Sequence, residues 1–165
     1  MSLKKKSVLR DWIESIIVAF CLAMVIRAFV VQAFKIPTGS MRMTLLEGDL
    51  ILVNKFIYGA KIPFTKLRLP ALKGPKRGDV VVFIYPEDKK KDFIKRLVGL
   101  PGESVEIKAG SIYINDKPAQ EPVFNRIYYY NKGDFGAEGR KLIVPKDSYF
   151  VLGDNSSNSR DSRMW

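Results

Sequence analysis

Ser40 and Lys95 come first, because the chain contains no histidine and a single cysteine, Cys21. Without histidine, neither a serine nor a cysteine nucleophile has an imidazole base, so a serine hydrolase built from this sequence needs a lysine in that role. Ser40 sits in Ile36-Pro37-Thr38-Gly39-Ser40-Met41-Arg42-Met43-Thr44-Leu45, directly after the long apolar stretch of the chain. Pro37 stiffens the approach to it, and Gly39 permits an unusual backbone and a close-lying substrate chain. The plainer reading of these residues is a polar turn that caps the next element. Lys95 lies in Asp92-Phe93-Ile94-Lys95-Arg96-Leu97-Val98-Gly99. In a strand Phe93, Lys95 and Leu97 share one face and Arg96 points the other way, which sets Lys95 between two apolar neighbours. An exposed lysine, with a pKa of about 10.4, stays protonated at neutral pH and accepts no proton. Burial lowers that value, and a drop of ~2–3 units, at roughly 3–4 kcal/mol, turns the amine into a general base. Against this stands a surface lysine with Arg96 as an ion-pairing neighbour. Spacing alone leaves the two readings level.

These side chains have to be positioned by the elements around them. Residues 12–34 are long enough to span a bilayer if Glu14 lies at one interface and Arg27 reaches toward the other, although the uncharged run 15–26 falls short of ~20 residues. The sequence favours a spanning helix over a surface-lying amphipathic one. Lys4, Lys5, Lys6 and Arg10 then keep residues 1–11 in the cytoplasm and place residues 35–165 outside. Val31-Gln32-Ala33-Phe34 is a poor Ala-x-Ala cleavage site, so the segment is expected to stay attached. From Asp49 onward, short runs rich in Val, Ile, Phe and Tyr alternate with Gly, Pro, Asn and Asp, the mark of a β-domain. The predicted strands are 50–54, 80–85, 93–98, 104–107, 111–115, 141–144 and 149–152. Those at 104–107 and 111–115 form a hairpin whose turn conformation glycine supplies. Residues 59–75 and 122–140 read as exposed connections, the second carrying Tyr128-Tyr129-Tyr130 as loop packing.

Composition narrows the function. The 165 residues, 47% of them hydrophobic, suffice for one domain with a core plus an anchor. A net charge of +11, from 28 Lys and Arg against 17 Asp and Glu, is spread along the chain. Lys89-Lys90-Lys91 reads as a solvated turn, and the charge pattern does not call for nucleic acid. Metal catalysis would require all-carboxylate ligation, and no acidic cluster of that kind is present. No phosphate-binding glycine loop occurs.

Ile36-Pro37-Thr38-Gly39-Ser40-Met41, Lys76-Arg77-Gly78-Asp79-Val80, Ile94-Lys95-Arg96 through Gly99-Leu100-Pro101-Gly102-Glu103, and Gly153-Asp154-Asn155 through Ser159-Arg160-Asp161-Ser162-Arg163 resemble, in order, the motifs of bacterial type I signal peptidases. The resemblance implies a mainly β fold, a membrane-anchored Ser-Lys endopeptidase outside the cytoplasmic membrane, and removal of signal peptides from exported preproteins after Ala-x-Ala sites. It implies Ser40 as nucleophile, Lys95 as general base and Ser159 as the serine that hydrogen-bonds and orients the lysine. The Ser40 N–H and the Thr38 hydroxyl would form the oxyanion hole, where each donor can contribute ~3 kcal/mol. Arg96, Asp161 and Arg163 would support the site structurally, and Phe34, Ile36 and Ile94 would line shallow pockets for small side chains. The expectation is a monomer at the bilayer that acts on secretory preproteins without cofactor, metal or nucleic acid.

Three departures accompany the resemblance. Met43 replaces the usual proline, Thr38 replaces the commoner serine, and the chain stops at Trp165 where relatives usually continue, which reads as a C-terminal truncation or as a domain that closes differently. It would leave Ser159–Arg163 at a free terminus, ordinarily a loosely held position. Two other readings share the composition: a membrane-tethered basic β-domain that binds a partner or anionic lipid, and a Ser-Lys self-cleaving repressor. The apolar N-terminal segment and the lack of a helix-turn-helix disfavour the repressor.

Overall fold

A computed structural model describes residues 8–59, 65 and 67–165, without the side chain of Ala28. Lys4, Lys5 and Lys6, on which the topology reading depends, lie outside the described residues. The chain divides into two units, residues 1–34 with 52–74 and residues 35–51 with 75–165.

In the first unit, helix α1 (Val8–Phe29) carries Asp11 in its first turn and Arg27 in its last, which suits the helix dipole. An Arg10–Glu14 pair one turn apart adds to it. The expected span over 12–34 is not formed. The helix ends at Phe29, and Val31–Lys35 is instead strand β1, whose burial roughly alternates. Among the described residues no helix is long and apolar enough to cross a membrane. Arg10, Asp11, Glu14 and Arg27 leave only residues 15–26 uncharged, about 18 Å of helix against a hydrocarbon core of ~30 Å. Strand β1 pairs with β2 (Leu50–Asn54), and residues 52–74 belong to this unit rather than to the rest of the β-domain.

The second unit is built from two antiparallel sheets. One has the order β3 (Val80–Ile84), β4 (Asp92–Gly99), β9 (Phe150–Leu152). The other has the order β7 (Lys117–Pro118), β6 (Ser111–Ile114), β5 (Ser104–Lys108), β8 (Leu142–Ile143). Every strand expected from the sequence is present, with ends shifted by up to a residue, while β1 and β7 were not foreseen. Between β5 and β6, Ala109 and Gly110 both take positive φ, 47° and 78°, which is the two-residue turn that suits a twisted hairpin. The Tyr128 ring lies so close to Gly110 that a Cβ there would meet it at 2.2 Å. Tyr129 is fully buried in the core with Val98, Ile107, Ile112, Phe124 and Leu152, whereas Tyr128 and Tyr130 are 60% and 49% exposed, so only the middle tyrosine of the run serves as core packing. Lys89–Lys91 form the β3–β4 turn, closed by an exposed Lys91–Asp88 pair.

β4 is the middle strand of its sheet and is buried on both faces from Lys95 to Gly99. That burial removes the surface-lysine reading. Lys95 is 4% exposed and Arg96 6%, on opposite faces of one strand. A register shift falls between Leu97 and Gly99, where a side chain on Gly99 would strike Val105 at 2.5 Å.

Candidate active site

Ser40 sits in a single 3-10 turn, Gly39–Met41, and the Lys95 Nζ lies 2.7 Å from its Oγ. The lysine also donates to the carbonyl of Ile94 at 2.9 Å. Phe93, two residues away on the same face, places its ring centroid 5.2 Å from the Nζ. Burial pushes the Lys95 pKa down from its ordinary value to about 8, against the opposing pull of the Asp161 and Asp154 carboxylates. About a tenth of the amine is therefore neutral at pH 7.

The Ser40 turn is held by Asn155. Asn155 donates its backbone N–H to the Ser40 carbonyl at 3.0 Å and its side-chain amide to the Gly39 carbonyl at 2.9 Å. Gly39 has no positive φ. Its missing side chain makes room for the Arg42–Glu47 pair, whose atoms lie 2.5–2.7 Å from where a Cβ would stand. The unusual backbone in this loop belongs to Met43, at φ 92°, where a proline could not sit because its ring fixes φ near −65°.

Two buried ion pairs frame the site. Arg96 donates to both oxygens of Asp154, at 2.8 and 2.6 Å, to the Gly78 carbonyl at 2.7 Å and to the Thr44 hydroxyl at 3.0 Å. Thr44 itself donates to Asp154, which ties the loop after Ser40 to this pair. Arg163 donates to both oxygens of Asp161, to the Tyr130 carbonyl, and to the hydroxyl and carbonyl of Ser156, so all five of its N–H groups are engaged. Asp161 also accepts the Gly153 N–H at 3.0 Å. Such geometry is what a buried charge needs to offset its desolvation. The expectation that Ser159–Arg163 would be loosely held is thereby overturned. Trp165 also packs edge-on to Tyr85 and Phe93, with ring centroids 5.0 and 5.9 Å away.

Ser159 departs from its expected role. Its hydroxyl is buried and has no hydrogen-bond partner, so the bond to Lys95 that the resemblance implies is not made. Gly153 lies against both Ser159 and the Ser40 backbone: a Cβ there would stand 2.1 Å from the Ser159 Oγ and 2.6 Å from the Ser40 carbonyl. Thr38 is exposed and extended, and its hydroxyl caps nothing in the turn. Of the residues assigned to substrate pockets, Ile94 is half-buried beside Lys95, Ile36 is covered at 3% exposure, and Phe34 lies in the first unit. Among the described residues no group of three or more acidic, cysteine or histidine side chains could hold a metal.

Gly153, Asp154, Asn155 and Thr44 were not singled out from the sequence. The first three stand inside a quoted motif, but only folding shows that Asn155 holds the Ser40 turn. Residues 9–165 match the family described as Signal peptidase, peptidase S26. The chain belongs to this signal peptidase family. It is 36% identical to the signal peptidase I of Pseudomonas fluorescens, over 99% of this chain and 65% of the relative. It is also 36% identical to signal peptidase I P of Bacillus subtilis subsp. natto, over 97% and 81%. The family member described here thus spans about two thirds of the length of its Pseudomonas relatives. A crystal structure of a signal peptidase I from Enterococcus faecalis superposes with a TM-score of 0.45 at 34% identity, covering 57% of this chain and 88% of that one.

Proposed function

We propose that the chain is a serine endopeptidase with a Ser40–Lys95 dyad, and that it removes N-terminal signal peptides from exported preproteins after Ala-x-Ala sites. The observation that carries the reading is a buried lysine with a lowered pKa, 2.7 Å from the serine hydroxyl. Neutral Lys95 takes the Ser40 proton as the Oγ attacks the scissile carbonyl, then returns it to the leaving amine. A water deprotonated by the same amine hydrolyses the acyl-enzyme. The Ser40 N–H and the Thr38 hydroxyl are the donors for the oxyanion. Ser159, unpartnered in the resting site, offers its hydroxyl to Lys95 once Ser40 is acylated and no longer accepts from the amine. Arg96, Asp161 and Arg163 keep the frame fixed, and Ile94, half-buried beside Lys95, receives a small side chain before the cut.

Membrane attachment on the extracytoplasmic side, where preproteins emerge, belongs to the same reading. It is supported by α1, whose Trp12, Ile16, Val18, Phe20 and Leu22 are 56% exposed or more, apolar surface that lipid would cover. A preprotein with an Ala-x-Ala site, incubated with the parent chain and with Ser40→Ala and Lys95→Ala, tests the proposal. Cleavage at that site by the parent alone is expected. Equal cleavage by a folded Ser40→Ala variant would refute it, and a folded parent that binds anionic lipid or a partner but cuts nothing would favour the tethered binding domain.

A further inference from the structure

Beside the Ser40 turn lies an open groove of about 210 Å3, lined by Arg42, Met43, Arg126, Tyr128, Tyr130 and Asn155 among others. It is linked to the Ser40 turn through Asn155, which holds the Gly39 and Ser40 carbonyls. Its charge is one-sided. The one carboxylate in its lining, Asp154, is bound by Arg96, and Arg42 is neutralised by Glu47. Among the described residues the Arg126 side chain has no ion-pair or hydrogen-bond partner. The Lys132 amine donates to the carbonyl of Ser157, a lining residue, and has no acidic partner among the described residues. Arg126 is therefore an uncompensated cation in the lining, and Lys132 a second one held at its edge through Ser157. Tyr128 and Tyr130 stand edge to face at 4.9 Å, 60% and 49% exposed, and Met43 is 72% exposed. That is contact surface for a peptide rather than packing.

We propose that this groove binds the polypeptide segment following the scissile bond, and that Arg126 and Lys132 make it select acidic side chains there. The proposal rests on the endopeptidase reading and deepens it. The apolar residue Ile94 takes a side chain before the cut, whereas this basic, aromatic groove lies past Ser40 along the loop, at Arg42 and Met43. Exposed ion pairs are individually weak, and two cations together give a preference of about tenfold for an acidic over a basic segment.

The test uses the full-length Ser40→Ala chain and two dye-labelled decapeptides that differ only in carrying Asp/Glu or Lys/Arg at their first five positions. The acidic peptide should bind about tenfold more tightly, the gap should narrow with Arg126→Gln, and it should invert with Arg126→Glu combined with Lys132→Glu at an unchanged melting temperature. Equal binding of the two peptides, or an unaltered preference in the double variant, overturns the proposal. So does an outcome in which the variants change only binding to phosphatidylglycerol vesicles, since the groove would then serve a lipid headgroup. Because this readout needs no turnover, it separates from the endopeptidase reading: preprotein cleavage without acidic preference sinks the groove alone, and acidic preference without cleavage sinks the peptidase.

Discussion

Lys95→Met removes an ammonium that the fold keeps at 4% exposure, and the effect on stability has a definite sign. The lysine titrates near 8 in the folded chain instead of at its ordinary 10.5. The unfolded chain therefore binds more protons between those values, so the parent gains stability as pH rises from about 8 to about 10.5. Below that window the full penalty stands, on the order of 3 kcal/mol. Methionine, of similar length and without charge, avoids it but gives up the hydrogen bonds to Ser40 and Ile94, about 1 kcal/mol each. Urea denaturation should thus find Lys95→Met about 1 kcal/mol more stable than the parent at pH 7 and about 2 kcal/mol less stable near pH 10.5. A variant that is less stable at pH 7 by the same margin as at pH 10.5 would show that the ammonium is not desolvated, and the argument for Lys95 as a base would fail.

Gly153→Ala drives a methyl into the Ser159 hydroxyl and the Ser40 carbonyl, so preprotein cleavage should fall by about a hundredfold, the loss expected for a displacement near 1 Å. Met43→Gly relieves a left-handed backbone and should raise the unfolding free energy in urea by about 1 kcal/mol, while Met43→Pro should destabilise this chain because φ 92° is closed to it. Asp161→Asn leaves the Arg163 guanidinium buried without its charge partner and should cost about 3–5 kcal/mol by denaturation. If enough folded protein remains, its pH–rate profile should shift toward acid, since Asp161 raises the Lys95 pKa.

The dyad was half legible before folding. Alternation along residues 93–97 placed Lys95 among apolar neighbours, but only the position of β4 between β3 and β9 buries both its faces and decides against a surface lysine. The strands of the β-domain were legible because Gly, Pro and Asn punctuate them. The junction between α1 and β1 was not, since Phe29 to Phe34 continues an apolar run that suits either element and Pro37 comes too late to mark the break. Asn155 was invisible as a positioning residue because its partners lie 115 and 116 positions away. The missing Ser159 bond reflects geometry: the Lys95 amine points to Ser40 and Ile94, a choice of rotamer that no motif records.

Acylation rate against pH puts the dyad to its most direct test. A peptide ester ending in Ala-x-Ala, presented to the chain, should transfer its acyl group to the Ser40 Oγ, with Lys95 taking the proton and the alcohol leaving. Intact-mass and peptide mapping should find one adduct, on Ser40, forming at a rate that rises tenfold per pH unit below about 8 and levels above it. An adduct on another residue, or a rate indifferent to pH between 6 and 9, would contradict a Ser40–Lys95 mechanism.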